Sequence, residues 1–305
     1  MRSQIKTYFQ TYLRLSLIFF GTILMNFSSA AQSIRNLTLG PCDLHSIAYC
    51  GALEILTDEG VLAFLDNVSG EEGGAIVATL LAIGYSPEEI SDIMVYTDFS
   101  PFINPTVSHC NPINGAVLSF ENDAWKGWLE SYIAKKLGSS DTTFGELHQQ
   151  RVGNEFYDLF ILARSANETP TCYSHETHAD MKITEAVFKS CSLMSCAGHL
   201  YRQSVEVDGL LKIEAVFDDP KYYSGLTIVA FDKDFVNPQS ICLRVAPKSS
   251  KTHESRLALS SARLIEISVD CCRQDEQSYL FNVGKTKLVS KGRRAAMDFL
   301  GLTAE

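Results

Sequence analysis

Basic residues are scarce in this chain. Against 36 Asp and Glu there are 26 Lys and Arg, a formal net charge of −10. Residues 1–31 hold Arg2, Lys6 and Arg14 and no acid, so without them 23 bases face 36 acids, or −13. Nucleic acid needs a basic patch to neutralise phosphate, so an acidic body of this kind speaks against a nucleic-acid partner. It speaks equally against tight electrostatic docking on an anionic membrane. The nine cysteines contain no CxxC pair, and their count is odd. A chain of 305 residues has enough length for a core and does not need a disulfide framework. There is no internal repeat and no low-complexity tract. What is abundant is apolar: 46% of residues are hydrophobic and 20% charged, which is the composition of a folded domain with a sizeable core.

The first 31 residues have their own pattern. Lys6 and Arg14 precede an apolar run from Leu15 to Phe27, followed by Ser28, Ser29, Ala30 and Ala31. Basic, apolar and small-residue segments in that order describe a secretory signal, and imply an exported or secreted mature chain. The alternative is an anchor in the membrane over 15–31. The apolar run is shorter than the roughly 20 residues a span requires, and Asn26 and two serines close it. No cysteine stands at the cleavage point to carry a lipid. Exported chains can form one or two disulfides, but the spacing here does not give the pairing. Three glycosylation sequons occur, at Asn36, Asn67 and Asn167. The first two lie in or beside expected buried strands, where a glycan would block folding.

Beyond residue 32 the pattern alternates between strand and helix. Ile34 to Leu39 is a short apolar run expected to form a buried strand. A loop from Gly40 to His45 leads to a helix over Ser46 to Gly60, with Ile47, Leu53 and Leu56 on one face. A second strand is expected from Ala63 to Val68. A tight turn, Ser69-Gly70-Glu71-Glu72-Gly73-Gly74, follows, and then an apolar helix from Ala75 to Ile83. Ser86-Pro87-Glu88-Glu89 is a capping box that opens the next helix. Strand, helix, strand, helix implies a parallel sheet covered on both faces. Residues 99–142 read as an insertion or lid-like region, with Pro101, Pro105 and Pro112 in its irregular part and a helix from Asp123 to Leu137 before Gly138. Later strands are expected at Tyr157 to Ala163, Ser204 to Val207, Leu226 to Phe231, Arg263 to Val269 and Tyr279 to Val283. A helix is expected from Ile183 to Met194, and a last one, capped by Ser290, to Leu300. Residues 226–305 form the C-terminal part.

Few residues stand out as chemistry. His175-Glu176-Thr177-His178 with Asp180 has ligand-type side chains at close spacing, but no second cluster accompanies it, and a solvated loop is the expectation rather than a metal site. No cofactor is expected. Cys42 has one nearby histidine, His45, and reads as an inert thiol. Trp125 and Trp128, at i and i+3 of one helix, could face lipid or a partner; ordinary packing is the expectation. Cys271-Cys272 has no assignment.

Several ordered segments resemble the patatin-like phospholipase family. The first is Asn36-Leu37-Thr38-Leu39, a loop, and Ile47-Ala48-Tyr49-Cys50-Gly51-Ala52-Leu53-Glu54. The second is Val68 to Ala78 with the link Gly84-Tyr85-Ser86-Pro87-Glu88-Glu89-Ile90. Thr143 to Leu147 is a shorter match. The last is Ile183 to Ser192 followed by Val207-Asp208-Gly209-Leu210. The tail from Asn282 to Leu300 is weakly similar to the end of the bacterial effector-type branch. The resemblance implies an α/β fold, a three-layer α/β/α sandwich with a mostly parallel central sheet, over residues 32–305.

The resemblance also implies a site. Family enzymes use a Ser–Asp dyad, with the serine on a strained strand-to-helix elbow and an oxyanion held by a glycine-rich loop. This chain departs from that pattern at both parts. Glu72 stands at the serine position, between the elbow glycines Gly70 and Gly74. At the oxyanion loop it has Pro41, Cys42 and Asp43, with Ser46 at a later glycine. Of the dyad, Asp208 is retained. The expectation is a scaffold that no longer hydrolyses lipid and acts as a binding or interaction module, with a lipid or protein partner. The alternatives are an active lipid acyl hydrolase of phospholipase A type, or a hydrolase built on a Glu72–Asp208 carboxylate pair.

Overall fold

Asn36–Leu39 (β1) is buried at all four positions, and Asp158–Ala163 (β3) at all six. Side chains alternate between the two faces of a strand, so a strand with no exposed position is covered on both faces. The computed structural model describes residues 34–42, 44–102, 123–163, 171–191, 240–247, 263–269 and 282–302. Within them the remaining strands are Asn67–Glu71 (β2), Thr171–Tyr173 (β4), Ser240–Pro247 (β5) and Arg263–Val269 (β6). The helices are Ile47–Asp58 (α1), Gly73–Ala82 (α2), Pro87–Tyr96 (α3), Asp123–Leu137 (α4), Phe144–Gln150 (α5), Ile183–Cys191 (α6) and Asn282–Leu300 (α7).

The strands form one sheet in the order β4-β3-β2-β1-β5-β6. Neighbours are parallel from β3 to β6, and β4 joins the edge antiparallel to β3. This is the mostly parallel, three-layer α/β/α arrangement implied by the sequence. The chain winds outward from β1 in one direction through β2 and β3 and in the other through β5 and β6. In open parallel sheets such a reversal of strand order opens a crevice at the carboxyl ends of the strands.

Local chemistry explains several boundaries. Ser86 Oγ accepts the Glu89 N–H at 3.2 Å and the Glu89 carboxylate accepts the Ser86 N–H at 2.9 Å, a closed capping box with Pro87 at the first helical position. Thr143 and Glu146 cap α5 in the same way, at 3.2 and 2.8 Å. Gly138, at φ +83°, ends α4 in the left-handed conformation that glycine adopts without penalty. From α4, Trp125, Leu129 and Ile133 are fully buried at a spacing of four, which puts this part of 99–142 in the core. Trp125 stacks on Phe188 with centroids 5.8 Å apart, and Trp128 packs edge-on against Phe99 and Tyr132. Both tryptophans are thus accounted for by packing.

Three sequence expectations are corrected. The second strand is not Ala63 to Val68 but Asn67–Glu71. The apolar run before it forms turns after Gly60, with Ala63 N–H donating to Gly60 O and Leu65 N–H to Leu62 O. Leu62 and Leu65 are buried at a spacing of three while Phe64 is 66% exposed, a turn pattern rather than strand alternation. Val283 does not end a strand; it lies in the first turn of α7. Ser290 is not a cap but a mid-helix residue whose hydroxyl donates to Thr286 O at 3.0 Å. The buried stripe of α7 is Gly284, Lys285, Leu288, Val289, Gly292 and Ala296, a helical period hidden by its glycines and its lysine. Lys285 serves the end of another helix: its ammonium donates to Val95 O at 3.1 Å and to Thr97 O, beside the Phe99 ring. Helix α5 and strands β4 and β5 were not foreseen. Expected strands at Ser204 to Val207 and Leu226 to Phe231 lie outside the described residues. Among the described residues, no helix is long and apolar enough to cross a membrane.

Candidate functional site at the carboxyl ends of the strands

The turn between β2 and α2 is held open by what is missing from two glycines. A Cβ on Gly70 would lie 2.4 Å from Gly74 O and 2.6 Å from Ala75 Cα. A Cβ on Gly74 would lie 2.5 Å from Leu39 O and 2.6 Å from Gly40 O. Strand β2, the start of α2 and the end of β1 therefore meet backbone to backbone, which any larger residue would prevent. Helix α2 is buried at all ten positions and begins directly after β2, at the carboxyl ends of the strands.

Glu72 stands at this junction with φ +52° and ψ −125°. Among the described residues it is the one non-glycine residue at positive φ. Such a conformation costs on the order of 1–3 kcal/mol and persists where surrounding contacts impose it. Those contacts are visible. Glu72 N–H donates to Ser190 Oγ at 2.8 Å, Ser190 Oγ–H donates to Leu162 O at 2.5 Å, and Cys191 Sγ–H donates to Glu72 O at 3.2 Å. The end of α6 thus grips the elbow peptide from both sides. The Glu72 side chain is half-buried and its neighbour Glu71 is buried.

The loop after β1 lies beside this turn. Gly40 N–H is committed to Leu243 O at 2.9 Å, which extends the β1–β5 ladder by one residue. Gly40 O accepts from the Tyr49 hydroxyl at 3.0 Å and from the Cys42 thiol at 3.7 Å. Pro41 has no N–H to offer. Pro41 and Cys42 are half-buried, and Ser46 is buried in the short 3-10 turn Leu44–Ser46. Asp43 and Asp208 lie outside the described residues. Of the expected site residues, the structure brings together Pro41, Cys42, Gly70, Glu72 and Gly74 at the carboxyl ends of the central strands β1 and β2. Two serines adjoin the elbow, and both are buried and hydrogen-bonded. Ser69 is fully buried and donates to Thr38 Oγ1 at 2.8 Å, and Ser190 is buried and spent as described.

The family model for patatin-like phospholipases matches residues 44–217. That is more than half of the chain. The chain belongs to the patatin-like phospholipase family. An uncharacterized protein of Acanthamoeba polyphaga mimivirus is 28% identical over 163 residues, which cover 53% of this chain and 52% of that protein. Among solved structures, the type III effector ExoU superposes with a TM-score of 0.53 at 14% identity, over 89% of this chain and 54% of that one. VipD from Legionella pneumophila superposes with a TM-score of 0.52 at 12% identity, over 89% of this chain and 67% of that one. At such identities the superpositions show a shared fold. This patatin-like chain spans about half the length of the mimivirus protein and of ExoU.

Most of the histidine loop singled out in the sequence is solvated, as expected, and His175 alone departs from it. His178, Glu176 and Asp180 are exposed and do not converge, and His178 packs against Tyr173 with centroids 4.8 Å apart. His175 turns inward instead, toward His148 of α5 and Asp158 of β3. Burial pushes its imidazole below the ordinary 6.5, with Asp158 acting in the opposite direction. Sequence spacing could not reveal this group, because its three members come from separate elements.

Proposed function

We propose that this patatin-like chain no longer hydrolyses acyl esters by the serine route and serves as a binding or interaction module on the family scaffold. The observation that carries the reading is a glutamate, Glu72, in the strained elbow conformation between β2 and α2, where the family has its serine. A carboxylate attacks esters poorly and yields an anhydride. Losing the serine of such a hydrolase costs on the order of 10⁶-fold in rate, by analogy with triad deletions. The loop beside the elbow offers little to an oxyanion. Gly40 N–H is already spent on Leu243 O, and Pro41 has none. Each lost donor costs about 10²–10³-fold.

A lipid or a protein is the expected partner. ExoU, whose fold this chain shares, is also known as a heterodimeric complex with SpcU from Pseudomonas aeruginosa (TM-score 0.50). A protein partner for this chain is therefore part of the proposal. The test is turnover of phospholipid vesicles and short-chain nitrophenyl esters by the purified protein. No turnover above buffer is expected. Turnover abolished by Glu72→Gln and by Asp208→Asn would overturn the reading in favour of a carboxylate-pair hydrolase.

A further inference from the structure

Asp158 opens β3 at the amino ends of the strands, opposite the elbow, where it pairs in register with Asn67, the first residue of β2. It is buried, and three side chains of basic or ligating type converge on it. Oδ2 accepts from the Arg151 guanidinium. Oδ1 lies 2.7 Å from His148 Nδ1 and 3.7 Å from His175 Nδ1. The two imidazoles stack, with centroids 3.9 Å apart and planes 6° from parallel. The edge of Phe160 backs the His175 ring at 6.0 Å. His175 Nδ1 is buried and has no hydrogen-bond partner. Leaving a buried ring nitrogen unsatisfied is unfavourable, so its presence calls for an explanation.

We propose that His148 Nδ1, His175 Nδ1 and Asp158 Oδ1 form a binding site for one divalent transition metal of the zinc class. Two imidazoles and one carboxylate are the ligand set such ions take, and calcium or magnesium would demand oxygens instead. One ligand atom from each of the three residues lies within 4.8 Å of the other two. Neighbouring donors around a tetrahedral zinc stand about 3.3 Å apart, given bonds of about 2.0 Å. The two measured separations from Oδ1, 2.7 and 3.7 Å, fall on either side of that spacing. A metal between them would use the orphaned nitrogen and hold three elements together: α5, β3 and the turn after β4.

Two features set the terms of binding. Parallel rings cannot both aim their lone pairs at one ion, so one must turn. His148, with 48% of its side chain exposed, has the room, whereas His175 is held between Asp158 and Phe160. The second feature is Arg151, a cation beside the site. It is engaged on Oδ2 and reaches on to Asp66 at 3.4 Å, whose other oxygen meets Arg35. Arg151 therefore weakens a cation at the site but also fixes the carboxylate with Oδ1 facing the histidines, the orienting work of an outer-shell partner.

The experiment uses the whole protein, without a histidine tag and stripped with chelator, titrated with zinc and with cobalt. One ion per chain is expected, with a raised unfolding temperature and a visible cobalt spectrum free of thiolate charge transfer. His148→Ala and His175→Ala should each weaken zinc at least tenfold, while His178→Ala, in the neighbouring exposed loop, should leave it unchanged. Far-ultraviolet circular dichroism checks that the half-exposed His148→Ala variant folds. Absence of any zinc binding at micromolar concentration overturns the proposal. So does affinity that survives His148→Ala in folded protein, which would assign the ion to cysteines or to the loop.

Discussion

The Glu72 N–H donates to Ser190 Oγ at 2.8 Å, joining residues 118 positions apart in sequence. The same hydroxyl donates to Leu162 O of β3, so one buried side chain satisfies both the elbow and the neighbouring strand. Ser190→Ala should leave both groups without this partner inside the core. A loss of about 2 kcal/mol is expected, read as a lower midpoint in urea unfolding with unchanged slope. A change below about 0.5 kcal/mol would mean that the elbow is held by other contacts.

The strain at Glu72 gives a test with the opposite sign. At φ +52° an L-residue is disfavoured and glycine is at ease. Glu72→Gly should therefore stabilise the protein by about 1 kcal/mol, relief of strain exceeding the added entropy of the unfolded chain. Should unfolding show destabilisation instead, the Glu72 side chain contributes binding energy of its own within the elbow.

Restoring the serine alone should fail. Glu72→Ser supplies a hydroxyl at the junction, but Gly40 N–H stays on Leu243 O and Pro41 stays without a proton. Nitrophenyl ester turnover by this variant should remain at buffer level. Adding glycines at Pro41, Cys42 and Asp43 is the change expected to recover a trace. Turnover in Glu72→Ser comparable with ordinary family hydrolases would show that the oxyanion is held elsewhere.

The elbow was legible because its chemistry is local. Gly70-Glu71-Glu72-Gly73-Gly74 between an apolar strand and an apolar helix marked the turn, and Gly70 and Gly74 are where backbone meets backbone. The capping box at Ser86 and the stop at Gly138 were legible for the same reason. What stayed hidden depends on distant partners. Ser190 holds the elbow from α6 and looks like any polar residue in a helix. The inner face of α7 hid behind Gly284, Lys285 and Gly292, which no hydrophobic pattern marks. The expected strand from Ala63 to Val68 began too early because apolar content alone does not separate a turn from a strand; the spacing of the buried Leu62 and Leu65 does.

The order of residues 1–31 yields a prediction independent of the fold. Exported material should begin near Ala31 or Gln32, as read by N-terminal sequencing. Exported protein that still carries Met1 would contradict cleavage and favour an anchor over 15–31.

Two glycine substitutions of the same chemical kind should have opposite effects. Helices gain about 1 kcal/mol when an interior glycine becomes alanine. Gly127, exposed in α4, has nothing within 4 Å of its missing Cβ, so Gly127→Ala should show this gain. Gly292 sits where α7 crosses α1. A Cβ there would lie 1.8 Å from Ala48 O and 2.9 Å from Ala48 C, and one on Gly51 opposite would lie 2.0 Å from Val289 O. The obstacles are backbone atoms, which cannot rotate away. Overpacking of this sort costs about 3 kcal/mol, larger than the propensity gain, so the sign reverses. Gly292→Ala should lower the urea midpoint while Gly127→Ala raises it. The nearby contact between Arg293 Nε and Glu54 Oε2, at 2.5 Å, should be lost with the displaced helix. Equal stabilisation by both substitutions would mean that α1 and α7 do not approach this closely in solution.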